Sequence, residues 1–138
     1  AAELAGSIHD SAKLAQAYAS ATTAKIAVVT GKAYGSAYVA LASTAAGSDF
    51  TFAWEGAVIA PTTPEAAVVF LNGVSEDNAK QAQEYADNEA DAFTAAANGY
   101  VDRVITAEDT KSALTSAIEA TSSKRVVTPA KKHVNFVY

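Results

Sequence analysis

Lys25-Ile26-Ala27-Val28-Val29-Thr30-Gly31-Lys32-Ala33-Tyr34-Gly35-Ser36-Ala37-Tyr38 is the stretch on which the fold turns. Its first part is a compact run rich in β-branched residues, closed by the turn residue Gly31, and it suits a strand covered on both faces. From Gly31 to Tyr38 the residues are small and loop-like, and helix-compatible residues follow to about Ala45. The whole is a strand, tight loop, helix unit. No internal repeat is visible, but strands alternate with helices along the chain at a spacing that predicts an α/β fold with a largely parallel sheet.

Upstream, Ile8, Ala12, Leu14, Ala15 and Tyr18 fall near a three-to-four-residue repeat, predicting an amphipathic helix over 8–20 that buries its alanine face. Downstream, Phe50 to Trp54 and Ala57 to Ala60 read as two short strands, or as one interrupted by Glu55-Gly56. Pro64 is placed to open a helix running to Leu71, because its missing amide hydrogen costs nothing in a first turn. Asn72-Gly73 is a turn. Residues 75–97 are polar and helix-favouring, capped by Ser75-Glu76-Asp77, with a break near Asn88. Tyr100 to Ile105 alternates as a short edge strand. Thr106 and Asp109 resemble a capping box ahead of a helix whose stripe is Ala113, Leu114, Ala117 and Ile118 and whose end lies near Ser123. The tail from Lys124 carries Arg125, Lys131, Lys132 and His133 around Pro129 and reads as an arm that docks on an acidic surface.

Composition narrows the function. The 138 residues fit one ordinary domain, read here as a partial one over 1–138. Alanine supplies 34 of them, so the core is thin for its length, and the unmet burial predicts an oligomer or a docked subunit. A net charge of −5 and a pI near 4.9 argue against nucleic acid and anionic membrane as partners. No apolar stretch is long enough to span a bilayer and no signal peptide is visible, which predicts a cytoplasmic protein. Without cysteine there is no thiolate nucleophile and no zinc ribbon, and His9 and His133 are far apart, so no metal site is expected. Without methionine, residue 1 is not a translational start, and the chain reads as processed or as an excerpt of something longer.

The candidate chemistry centres on Gly35-Ser36-Ala37. Backbone amides that emerge from a strand and enter a helix point outward, and the helix dipole adds positive potential, so such a turn can hold an oxyanion. A plain helix-start turn explains the same residues. Ser36 lacks a Gly-x-Ser-x-Gly elbow and a histidine–acid pair, which counts against a nucleophile. Glu65 is either a general base or a first-turn acid facing the dipole. Asp102 and Arg103 read as a solvated strand edge or an interface pair.

The string 33–38, preceded by the strand at 25–29 and by Ala12-Lys13-Leu14, Ala17-Tyr18-Ala19 and Ala21-Thr22, resembles the C-terminal lobe of the biotin-dependent acyl-CoA carboxyltransferases. The likeness continues in order through Phe52-Ala53-Trp54, Ala57-Val58-Ile59-Ala60, Pro64-Glu65, Gly99-Tyr100-Val101-Asp102, Glu108-Asp109-Thr110, Lys124-Arg125, Pro129 and Lys131-Lys132-His133. The resemblance implies a crotonase-like (ClpP/crotonase) α/β spiral domain, here incomplete at its N-terminal edge, because the lobe's usual first strand has no counterpart. It further implies carboxyl transfer between carboxybiotin and the α-carbon of an acyl-CoA, biotin arriving on a carboxyl carrier protein. The amides of Ser36 and Ala37 would face the biotin ureido oxygen, Gly35 and Tyr38 would contact the cofactor, and Val39 and Glu65 would line the substrate pocket. An N-terminal carboxyltransferase lobe or subunit, holding the CoA, would be the partner in an oligomer.

The chain departs from the family pattern at four places. Ser36 replaces the family's second glycine. Val39 stands where an aspartate is common, which implies a different acyl preference or a lost one. Thr63 and Ala66 flank Pro64-Glu65 where the family is smaller, and would narrow the approach. A catalytically silent structural subunit is therefore the alternative. A CoA-thioester hydratase or hydrolase, with Glu65 as base, is the third reading.

Overall fold

The computed structural model describes residues 4, 6–41 and 43–127. Helix α1 (Ser7–Ser20) leads into strand β1 (Ile26–Val29), strand β2 (Lys32–Tyr34) and helix α2 (Gly35–Leu41). Strands β3 (Phe50–Trp54) and β4 (Val58–Ala60) precede helices α3 (Pro64–Asn72), α4 (Asn78–Asn88) and α5 (Ala92–Ala97), and strand β5 (Arg103–Ile105) and helix α6 (Thr110–Thr121) follow. Two all-parallel sheets result. One is ordered β1-β3-β5, with Ile26 opposite Phe50 and Phe52 opposite Arg103; the other pairs β2 with β4, with Lys32 opposite Val58.

Burial explains the layering. Thr51, Phe52 and Ala53 on central strand β3 are buried, whereas β1, expected to be covered on both faces, buries only Val29 and lies at a sheet edge. Small side chains let elements approach closely: Ala53, Ala57, Ala92 and Ala95 form one core with Val29, Ile59 and Val101. Phe52 and Ile105 form a second core with Ala113 and Ala117 of α6. The rest of the expected α6 stripe is not core, since Ile118 is 59% exposed. No residue of α1 is buried, so its alanine face packs only partially, against α2.

Helix boundaries follow from local chemistry. Thr63 caps α3, its hydroxyl accepting from the Ala66 amide at 3.3 Å, with Pro64 in the first turn. The predicted break near Asn88 is real: α4 ends there, and Asp91 opens α5 by accepting from the amides of Phe93 and Thr94 at 2.8 and 3.0 Å. The helix expected from 75 begins only at Asn78, because the Asn78 side chain instead accepts from the Ser75 amide at 3.0 Å. Helix α2 stops at Leu41, short of Ala45: Ser43 donates its hydroxyl back to the Val39 carbonyl at 2.7 Å and caps a short 3-10 turn, Thr44–Ala46.

Candidate functional site

The turn from β2 into α2 is built by Gly35, whose φ of +60° is left-handed and strains any residue carrying a Cβ. Space is not the constraint there, since a Cβ would sit 3.7 Å from the Pro61 carbonyl oxygen, an ordinary contact. Ser36 follows in the first turn, with its side chain exposed. Amides at this end of a helix have no acceptor within the helix itself. Residues 31–34, expected to be loop, instead contribute the three-residue strand β2, which anchors the turn through its ladder with β4.

Besides a recess of about 530 Å³ lined by β1, β2, Tyr38 and Leu41, two recesses adjoin this turn. The first holds about 250 Å³. Tyr38 and Val39 of α2 meet the end of β4 and its continuation at Ile59, Ala60 and Pro61. The opposite wall comes from Tyr85 of α4 and Glu89 just past its end, from Ala95 and Asn98 at α5, and from Tyr100. Burial, and secondarily the neighbouring Tyr100, raise the Tyr38 phenol above its ordinary 10.0, keeping it neutral.

The second recess, of about 230 Å³, lies between β2 and helices α3 and α4 and includes Lys32, Tyr34, Glu65 and Gln83. Burial first, and then the charge of Glu65, raise the Tyr34 phenol above 10.0. Glu65 is an exposed first-turn acid of α3. Val39 and Glu65, expected to line one substrate pocket, therefore face different recesses. Thr63 and Ala66 form the exposed cap of α3, in which the Thr63 hydroxyl accepts from the Ala66 amide; this accounts for the threonine without reference to a substrate.

Several expected surface groups have internal partners. Asp102 accepts from the Thr51 amide at 2.7 Å and donates its own amide to the Thr51 carbonyl at 2.8 Å, clamping the approach to β5 onto β3. Lys124, assigned above to a docking arm, binds Asp49 at 2.7 Å and the Thr23 carbonyl at 3.2 Å. The docking arm from Thr128 to Tyr138, with Lys131, Lys132 and His133, lies outside the described residues. Among the described residues, no three His, Cys, Asp or Glu side chains gather as metal ligands, and no helix is long and apolar enough to cross a membrane.

The carboxyl transferase domain family matches residues 1–136. This chain belongs to that family. The 12S subunit of methylmalonyl-CoA carboxyltransferase from Propionibacterium freudenreichii subsp. shermanii is 39% identical over 97% of this chain and 27% of that protein. The propionyl-CoA carboxylase beta chain of Cereibacter sphaeroides is 39% identical over 96% of this chain and 27% of its own. A transcarboxylase 12S crystal structure, with methylmalonyl-coenzyme A and methylmalonic acid bound, superposes with a TM-score of 0.90 at 39% identity, over 99% of this chain and 27% of that one. The β subunit of P. aeruginosa geranyl-CoA carboxylase, 22% identical, has a TM-score of 0.73 over 96% of this chain and 28% of its own, a likeness of fold alone.

As a carboxyl transferase domain, the chain has the crotonase-like α/β fold and spans about a quarter of the length of the relatives it matches. Reading the sequence alone missed Tyr85, Glu89, Asn98 and Tyr100 as recess residues. Tyr85 and Glu89 share a helix face at i, i+4 spacing, which was a usable signal. Asn98 and Tyr100 gave none, because they stood out only as a helix stop and a strand start.

Proposed function

We propose that the chain is the C-terminal lobe of an acyl-CoA carboxyltransferase, a single partial domain over 1–138, working in the cytoplasm within an oligomer. In that assembly an N-terminal lobe or subunit holds acyl-CoA and a carrier protein brings biotin. The observation that carries this reading is the match across nearly the whole chain, at 39% identity, to the 12S subunit of a methylmalonyl-CoA carboxyltransferase.

The β2–α2 turn fits the biotin ureido group. Its first amides have no acceptor within the helix, Ser36 is exposed, and Gly35 supplies the sharp entry. When bound, carboxybiotin would supply the carboxyl group that is transferred to the acyl α-carbon. The chain's part is positioning and charge stabilisation. The amides of Ser36 and Ala37 donate to an oxygen that gains negative charge, and the Tyr38 phenol beside them stays neutral and adds no opposing charge. Removing one such donor from an enzyme site typically costs about 100- to 1,000-fold in kcat.

Carboxyl exchange in the assembled enzyme tests this. Ala37→Pro deletes one amide within the first helical turn, where proline is tolerated, and should lower exchange at least 100-fold with secondary structure intact. Unchanged exchange in a folded assembly would remove the oxyanion role and leave the structural-subunit reading, which Ser36 at the place of a family glycine favours.

A further inference from the structure

We infer that Asn98 is a site of spontaneous covalent modification: with Gly99 it closes to a succinimide that water opens to aspartate or isoaspartate, and it does so faster than Asn72, the asparagine of the other Asn-Gly pair. The chemistry needs no carboxyl transfer.

The sequence narrows the candidates. Of the five asparagines, only Asn72 and Asn98 precede a glycine. Ring closure requires the next residue's backbone nitrogen to reach the asparagine Cγ, and a residue without a Cβ leaves that nitrogen open to approach.

The two pairs share much of their setting. Both are exposed, each follows or ends a helix, and Gly73 and Gly99 have φ of +80° and +78°. Each glycine amide donates back at 3.0 Å, Gly73 to the Val69 carbonyl and Gly99 to the Ala96 carbonyl. What differs is how each pair is held. The Asn72 side chain donates to Gln81 at 2.9 Å, and the Gly73 carbonyl accepts from the Asn78 side chain at 3.0 Å, so α4 ties down both halves of that pair. The Asn98 side chain has no hydrogen-bond partner among the described residues.

Helix α5 has only six residues, and its end is closed by the amides of Gly99 and Tyr100, which donate to Ala96 and Ala95 at 3.0 and 2.9 Å. The last turn of so short a helix opens locally far more readily than the domain unfolds. Opening releases the Gly99 nitrogen, and the unheld Asn98 side chain turns to meet it.

The Gly99 nitrogen, on losing its proton, attacks Asn98 Cγ; the new C–N bond closes the ring and ammonia leaves. Water then splits one of the two ring C–N bonds. Splitting at Cγ restores the ordinary main chain with an aspartate, and splitting at the backbone carbonyl carbon gives isoaspartate, whose main chain is one atom longer. Nothing is oxidised or reduced. Asn98 and Glu89 line the same recess of about 250 Å³, so either product sets a second carboxylate among its lining residues. The longer main chain of isoaspartate also disturbs the paired bonds that end α5 and, through them, the wall formed by Tyr100.

The test ages the intact carboxyltransferase containing this lobe in mildly alkaline buffer. Peptide mapping by mass spectrometry follows both asparagines, and an isoaspartate-specific methyltransferase assay separates the products. Asn98 should convert about fivefold faster than Asn72 or more, the factor that one net hydrogen bond supplies. Gln81→Ala, which frees the Asn72 side chain, should raise the Asn72 rate and leave the Asn98 rate unmoved. Asn98→Gln, whose longer side chain disfavours the ring, should hold its thermal midpoint on ageing while that of the wild type falls. Conversion at Asn98 no faster than at Asn72, an Asn72 rate that Gln81→Ala does not move, or equal ageing of the wild type and Asn98→Gln overturns the inference.

Discussion

The carboxylate of Asp49 receives the ammonium of Lys124 at 2.7 Å, joining residues 75 apart in sequence. The same oxygen accepts the Lys25 amide at 2.7 Å, so one side chain fixes the start of β1, the approach to β3 and the exit from α6. Both side chains of the ion pair are only 21% exposed. Lys124→Ala should therefore destabilise the domain by about 1 kcal/mol, and Asp49→Ala by more, about 2 kcal/mol, because it also strips the Lys25 amide of its acceptor. Urea midpoints of the two variants check the order.

The pH dependence of stability follows from two carboxyl groups held below their ordinary 3.8. Asp49 is lowered chiefly by its bond to Lys124, and Asp91 chiefly by its bond to the Thr94 hydroxyl at 2.6 Å. A depressed acid binds fewer protons folded than unfolded, so its contribution is fully present above the unfolded value and is lost as pH falls through the folded one. Stability should be level above about pH 5 and decline below it. Asp49→Asn should flatten the acid limb, and a limb unchanged from wild type would show that other groups govern it.

Much of the architecture was legible because it rests on local signals. The β-branched run at 26–29, the proline at 64 and the break after Asn88 each act within a few residues, and each marks an element the structure has. What escaped is non-local. Lys32-Ala33-Tyr34 has no strand signature of its own and becomes extended only because Val58-Ile59-Ala60 lies alongside it. Asp102 is exposed at the edge strand, as read, but its bond to Thr51, 51 positions away, had no local signal. At the site, the turn was legible from its glycine and small residues, but the recess was not, since its walls come from five separate segments that only packing unites.

Asp102 holds β3 and the entry to β5 together through paired bonds to a residue that is 0% exposed. Asp102→Ala leaves the Thr51 amide without this acceptor in the interior and should cost about 1–3 kcal/mol, whereas Asp102→Asn keeps an acceptor oxygen and should cost less. Thermal denaturation of the pair distinguishes this clamp from a solvated edge, where both substitutions would be near neutral.

Gly35 makes a separate prediction about the turn. At φ +60°, Gly35→Ala should cost about 1–2 kcal/mol, and Gly35→Asn, which tolerates the left-handed region, less than Gly35→Val. Carboxyl exchange in the same variants should fall in the same order, since tilting the turn re-aims the amides that follow it. Exchange insensitive to all three would separate the turn from the chemistry.

The β2–β4 ladder is only three residues long on each side, and a two-stranded ribbon of that size is marginal by itself. No strand joins it to the three-stranded sheet, so the two are held together by packing, through the core that Ile59 shares with Val29 and Ala53. The turn at Gly35 is thus held by this short ladder and by that shared core. Whatever docks against β4 or α2 in the assembled protein acts as a latch on that small unit, and the sharpness of the turn becomes a property of the assembly as much as of this chain.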